Sequence, residues 1–226
     1  MFAIQWRMVK AITIISYIFI IFNLPFNPAT SSIILFGLIA FWSRLPGVGT
    51  PPPGDWLAML DVVDIFSLII AINISGMKGA IFSLVINISS RVVGSFPSWI
   101  SVLKDTVAQF VVCLIVPFIY NLVGQNIIVT TIWYSILRFI IVFALRVFYA
   151  ESPWFFAVFA IIGAGIVQAF INSFYAGLFG NFFDNLLKSG IKFSWILFLF
   201  ATVVIFLIKY FSENKMALNN IRKIVS

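Results

Sequence analysis

The chain contains no histidine and a single cysteine, Cys113. Histidine is the commonest metal ligand and the usual proton shuttle at neutral pH, so its absence removes most transition-metal, haem and Ser-His-Asp chemistry. No Walker phosphate-binding loop or zinc-protease helix is present either. One cysteine cannot form an intrachain disulfide, and Cys113 lies within an apolar run, so it indicates no redox compartment. We therefore expect no metal site, no cofactor and no enzymatic activity.

Charged residues are scarce: they make up 9% of the 226 residues, while 62% are hydrophobic and the mean hydropathy is +1.13. A water-soluble surface could not be assembled from so few charges, so the composition predicts an integral membrane protein whose main partner is the lipid bilayer. Long unbroken apolar runs indicate helical spans. The fold class expected is all-α, a polytopic transmembrane helix bundle.

Several apolar runs are separated by Pro, Gly, Asn or charged residues, and no soluble domain is apparent between them. A full span needs about 20 residues, so the first, second and fourth runs are short, and the expected number of spans is six to eight. We expect a single integral membrane domain over residues 1–226. The runs cover residues 11–24, 31–43, 57–75, 79–94, 106–123, 127–148, 153–174 and 193–210.

The net charge of +7 would suggest a nucleic-acid partner in a soluble domain. Here the basic residues stand at the ends of apolar runs, as the positive-inside rule produces, so no nucleic-acid binding is expected. The charge pattern predicts a short cytoplasmic N-terminus, residues 1–10, and a basic cytoplasmic tail, residues 210–226. The residues placed inside are Arg7, Lys10, Arg44, Lys104, Arg146, Lys209, Lys215, Arg222 and Lys223; those outside are Lys78, Lys188 and Lys192.

Two connections between the runs have informative sequences. "SGMKG" at 75–79 predicts a tight hairpin, since its two glycines can adopt the backbone angles that a turn demands. "FYAGLFGNFFDNLLKSGIKFSW" at 174–195 mixes aromatic and charged residues, which predicts a separate helix lying on the outer membrane surface.

Charged residues within the runs are the candidate functional groups. Asp61 and Asp64 are three apart and are expected to share one helix face. Counted outward from the hairpin, Asp64 and Arg91 lie at the same depth, about 18 Å from the turn, so a salt bridge between them is available. Arg138 is twelve residues from the next outer turn and falls in the same layer.

Amides in the seventh run add to these candidates. Gln168 and Asn172 are four apart and form a polar stripe that should face another helix or a cavity. Two interpretations stay open: an ion-pair layer that only fixes helix packing, or a site for a ligand or ion. The candidate binding residues are Asp61, Asp64, Arg91, Arg138, Gln168 and Asn172.

Residues 56–124 resemble a known group of membrane proteins. The segments "WLAMLDVVDIF", "GMKGAI", "SSRVVGSFPSW" and "VLKDTVAQF" together are similar to the membrane domains of S components of ECF-type vitamin transporters and of the rod-shape protein MreD. The resemblance covers under a third of the chain. It implies a compact bundle that either captures a small solute together with partner subunits or serves as a scaffold.

Two functions therefore remain in view. The first is a multi-span transport or solute-binding subunit in which the buried Asp/Arg layer holds a small solute or ion. The alternative is a non-catalytic scaffold or assembly subunit of a larger membrane complex. Both imply other membrane subunits as partners.

Overall fold

The computed structural model describes residues 6–23, 26–44, 61–94, 99–149 and 154–188. These residues form seven α helices and no strand, and all belong to one compact unit that ends at Gly190. The all-α fold is thus confirmed for the described part of the chain. The helices are α1 (Trp6–Asn23), α2 (Pro28–Arg44), α3 (Val63–Asn73), α4 (Gly76–Gly94), α5 (Trp99–Leu122), α6 (Ile127–Phe148) and α7 (Trp154–Lys188).

The short helix α3 forms the centre of the bundle. It packs against α2, α4, α5, α6 and α7, and every residue from Val63 to Ala71 is buried. Its apolar residues surround its whole circumference, as expected for a helix covered on all sides. Phe66 stacks on Phe36 of α2 with ring centroids 4.6 Å apart. A polar side chain on α3 therefore has to find its partners on neighbouring helices.

Asp61 lies outside α3, which begins at Val63. The Asp61 carboxylate accepts a hydrogen bond from the backbone N–H of Val63 over 3.2 Å. The prediction that Asp61 and Asp64 share one helix face is therefore wrong. This bond satisfies one of the N–H groups that the first turn of a helix leaves without a backbone partner.

The hairpin between α3 and α4 forms as predicted, but its glycines serve close packing. Gly124 is the glycine with a positive φ among the described residues, at 67°, so Gly76 and Gly79 do not supply left-handed turn angles. A Cβ at Gly79 would lie 2.6 Å from the Ala71 Cβ and 2.6 Å from the Ser67 carbonyl oxygen. The missing side chain lets α4 approach α3 directly.

Helix α5 contains Pro117, whose nitrogen cannot donate to the carbonyl of Cys113 four residues earlier. The start of α4 packs against this carbonyl, because a Cβ at Gly76 would lie 2.7 Å from the Cys113 oxygen. The proline and the glycine thus act at one place, where α4 and α5 meet.

Helix α7 is longer than the sequence predicts. It continues without interruption from Trp154 to Lys188, 35 residues, or about 52 Å at 1.5 Å per residue. The expected break near residue 174 and the separate surface helix are wrong for residues 174–188. The polar residues of this segment, such as Asn181 and Asp184, lower the local hydropathy, but the helix continues through them. The apolar run at 193–210, Lys192 and the basic tail lie outside the described residues.

Two described helices are long and apolar enough to cross a membrane, namely Val102–Leu122 and Ile127–Phe148. Shorter apolar helices cover Met8–Ile20, Ala29–Arg44 and Val63–Asn73. Large apolar side chains cover much of the outer surface, and Phe170 is 73% exposed. An apolar exterior of this kind suits contact with lipid.

Candidate functional site: a polar network inside the helix bundle

Asp64 stands in the first turn of α3 and is 1% exposed. Its carboxylate accepts hydrogen bonds from the Arg138 guanidinium of α6 and from the Gln109 amide of α5. It also accepts a bond of 3.2 Å from the Asn172 amide of α7. Charge-assisted donors from three different helices thus satisfy a buried carboxylate in an otherwise apolar bundle.

Further amides and a hydroxyl extend these contacts. Asn87 of α4 donates to the Gln109 side-chain oxygen. Gln168 donates to the Asn172 oxygen over 3.3 Å, and Asn172 donates to the Ser135 hydroxyl over 3.4 Å. We call this set the Asp64 network, and it links α3, α4, α5, α6 and α7. Its members are Asp64, Asn87, Gln109, Ser135, Arg138, Gln168 and Asn172.

A second set of charges, the Arg44 cluster, consists of Arg44, Asp61, Arg91 and Asp105. The Arg44 Nε lies 3.8 Å from an Asp61 oxygen, and its Nη2 lies 4.0 Å from an Asp105 oxygen. Arg91 forms a direct hydrogen-bonded ion pair with Asp105. Arg44 and Asp61 are buried, whereas Asp105 is half-buried. The cluster joins α2 to α4 and α5.

The two sets are electrostatically connected. Arg138 of the Asp64 network also interacts through its charge with Asp105 and Asp61 of the Arg44 cluster. The cluster contributes two arginines and two aspartates, and the network one of each, so the six formal charges cancel. Balanced pairs are needed here because one unpaired charge in an apolar interior costs several kcal/mol.

Some polar atoms of these sets are buried without a described partner. They are two guanidinium nitrogens, Arg44 Nη1 and Arg138 Nε, and one acceptor, Asn87 Oδ1. Buried polar groups nearly always form hydrogen bonds in folded proteins, with protein or with bound molecules. These atoms of the Asp64 network and the Arg44 cluster are therefore available for hydrogen bonds to a bound polar molecule.

Asp64 and Arg138 lie in one layer, as the residue count from the turns predicts, but the predicted pairing of Asp64 with Arg91 is wrong. Arg91 reaches Asp105 instead, because Arg138 and two amides already surround the Asp64 carboxylate. Gln168 and Asn172 do form one stripe, and of the two Asn172 contacts Asp64 directly.

Several participants were missed from sequence. The charge pattern places Arg44 among the cytoplasmic residues outside the apolar runs, and Asp105 directly precedes the run that begins at residue 106. A signal for the others is present, because Asn87 and Arg91 are four apart in α4, as are Asp105 and Gln109 in α5. Polar residues repeated at that spacing in apolar helices mark a face turned towards protein. The missed residues are Arg44, Asn87, Asp105, Gln109 and Ser135.

No group of three or more His, Cys, Asp or Glu residues suited to a metal ion occurs within the described ranges. Two cavities lie elsewhere on the bundle. One, of about 700 Å³, is lined by apolar residues of α6 and α7, including Phe139 and Ile166. The other, of about 600 Å³, lies between α1, α2 and α4. Neither is lined by a member of the Asp64 network.

No protein-family model, no curated protein and no solved structure matches this chain.

Proposed function

We propose that this protein is a multi-span membrane subunit that binds or transports a small solute or ion at the Asp64 network. The observation that carries the proposal is the Asp64–Arg138 ion pair, held among side chains of five helices while Arg138 Nε stays open. Ionisable residues inside a membrane bundle are costly, so they mark solute or ion pathways by default.

The buried polar atoms that lack a hydrogen-bond partner indicate the chemistry of the solute. Arg44 Nη1 and Arg138 Nε are hydrogen-bond donors, so the solute carries at least one acceptor oxygen. Since the six charges of the two sets cancel, a neutral or zwitterionic solute enters with no net repulsion. The weak resemblance to S components of ECF-type transporters points to the same class of subunit.

A cytoplasmic N-terminus and six to eight membrane crossings belong to this proposal. Arg44 at the end of α2 lies near Asp105 at the start of α5, and Arg146 at the end of α6 lies near Lys104. Basic residues therefore gather at one end of the bundle, and the α3–α4 hairpin lies at the other. This asymmetry supports the orientation that the positive-inside rule predicts.

A thermal-shift screen of the purified protein tests the proposal. The panel contains small carboxylates, phosphate esters, amides and polyols, all of which carry acceptor oxygens. We expect at least one compound to raise the melting temperature of the wild type, since a ligand that binds the folded state stabilises it. The same compound should not stabilise folded Asp64→Asn but should stabilise Lys78→Gln, a charge change outside the network. Equal stabilisation of Asp64→Asn would overturn the site.

A second candidate function is a non-catalytic scaffold or assembly subunit. The observation that favours it is the cancellation of the six buried charges, because a closed set of ion pairs needs no ligand and fixes helix packing. A panel with no stabilising compound, together with a partner protein that co-purifies with the wild type, would support the scaffold over the transporter.

A further inference from the structure

The cavity between α1, α2 and α4 is a partly open groove of about 600 Å³. Its walls are apolar, with Ile12 from α1, Phe41 from α2, and Phe82 and Ile86 from α4. It is separate from the Asp64 network, so its occupant is independent of the function proposed above. An apolar groove on a membrane bundle faces hydrocarbon chains rather than water.

A glycine on α2 keeps part of the groove open. A Cβ at Gly37 would make ordinary contacts of 3.5 Å with Ile86 Cδ1 and with the Phe82 ring. The space beyond that first carbon belongs to the groove, and a larger side chain at this position would occupy it. Position 37 therefore offers a way to fill the groove without forcing backbone atoms together.

Lys78 gives the groove a charge at one end. It lines the groove near the first turn of α4, is exposed, and pairs with no described acidic residue. The arginines of the core, by contrast, are balanced by aspartates. An apolar groove that has at one end an ammonium group without an acidic partner among the described residues is complementary to an amphiphile with an anionic head and an apolar tail.

The length of the groove fits one lipid tail. Lys78 and Ser89 both line it and are eleven residues apart on α4, which corresponds to about 16 Å along the helix. The hydrocarbon core of a bilayer is about 30 Å thick, so the groove has the length of a single leaflet. A tail that begins at Lys78 would reach Ser89 near the middle of the membrane.

We propose that this groove binds one acyl chain of an anionic phospholipid, whose headgroup phosphate contacts the Lys78 ammonium. The lipid occupies the leaflet at the hairpin end of the bundle. It fills the space between α1 and α4 and so holds α1, which among the described helices packs against α2 and α4 alone, in its place.

Native mass spectrometry of the detergent-purified protein tests this site, with dioleoyl phosphatidylglycerol as probe and dioleoyl phosphatidylcholine as the neutral comparison. We expect one tightly retained phosphatidylglycerol per chain. Lys78→Gln should weaken the binding of phosphatidylglycerol about fivefold, as the loss of one basic contact to an anionic lipid predicts. Lys10→Gln, a matched loss of one lysine charge near the start of α1, should leave this binding unchanged. Equal weakening by both substitutions would overturn the headgroup assignment.

Gly37→Leu tests the site of the acyl chain, and it should abolish retention of the lipid. The control is Gly163→Leu, because nothing lies within 4 Å of a Cβ built at position 163. A photoactivatable acyl chain on phosphatidylglycerol tests wild-type protein without any substitution. Cross-links should concentrate on α2 and α4, at residues such as Val85. Cross-links spread equally to Ile166 on α7, or full retention by folded Gly37→Leu, would overturn the proposal.

Discussion

Asp64 and Arg138 form a direct ion pair between α3 and α6, although 74 residues separate them in the chain. Asp64 is almost completely buried, and its carboxylate accepts hydrogen bonds from side chains of α5, α6 and α7. Loss of one partner leaves the other charge inside the bundle without its hydrogen-bonded counter-charge. The pair is therefore central both to the stability of the bundle and to the proposed solute site.

Removal of one charge of this pair should cost more than removal of both. Asp64→Asn leaves the buried Arg138 without its hydrogen-bonded counter-charge, and we expect a loss of about 3 kcal/mol in the free energy of unfolding. The double variant Asp64→Asn/Arg138→Leu should recover part of that loss. A double-mutant cycle from denaturant unfolding in detergent measures the coupling. Additive effects of the two substitutions would contradict a direct pair.

The Arg91–Asp105 pair should tolerate an exchange of its charges. Arg91→Asp and Asp105→Arg each place two like charges beside each other, so each single variant should unfold at lower temperature. The exchanged double variant restores opposite charges, and its melting temperature should lie above that of either single variant. A double variant that is less stable than both singles would show that the fit of the guanidinium matters more than its charge.

Close packing at the hairpin makes a separate prediction. Gly79→Leu puts carbon atoms where the Ala71 side chain and the Ser67 carbonyl lie, so α3 and α4 must separate. Overpacking of this kind costs about 1 to 3 kcal/mol. Gly163→Leu, at an open position in α7, is the control and should not lower stability, since leucine is a better helix former than glycine. Thermal unfolding of both variants measures the difference, and equal effects would contradict the tight contact.

The proposed orientation is open to a labelling experiment. Cys113 is fully buried and should not react with a membrane-impermeant maleimide, so single introduced cysteines report without background. Lys78→Cys, near the hairpin, should label from outside intact cells. Tyr149→Cys, directly after α6, should label after the membrane is opened. Labelling of both positions from the same side would contradict an odd number of crossings between them.

Helical segments could be predicted from hydropathy because an apolar run has to satisfy its own backbone hydrogen bonds in lipid. Ends of helices were harder. Asp61 looks like part of a helix, yet it precedes α3 and accepts a hydrogen bond from the Val63 N–H. The polar residues after position 174 look like a break, yet α7 continues. Local side-chain hydrogen bonds and helix packing determine where α3 begins and how far α7 extends. A hydropathy pattern contains no information about either of these interactions.

The candidate site was partly predictable for a physical reason. Counting residues from a turn gives depth along a helix, so Asp64 and Arg138 could be assigned to one layer. Depth does not give the angle around the bundle axis, and that angle decides which arginine meets which aspartate. Arg91 therefore paired with Asp105 rather than Asp64, and the amides of Asn87 and Gln109 filled the space between helices.

The most direct test of the proposed solute site is the affinity of Arg138→Lys for the compound that stabilises the wild type. Lysine keeps the positive charge beside Asp64, so folding and stability should stay close to those of the wild type. Lysine has no equivalent of the unpaired guanidinium Nε, so the affinity for this compound, measured by isothermal titration calorimetry, should fall about tenfold or more. An unchanged affinity in folded Arg138→Lys would contradict the proposed solute site.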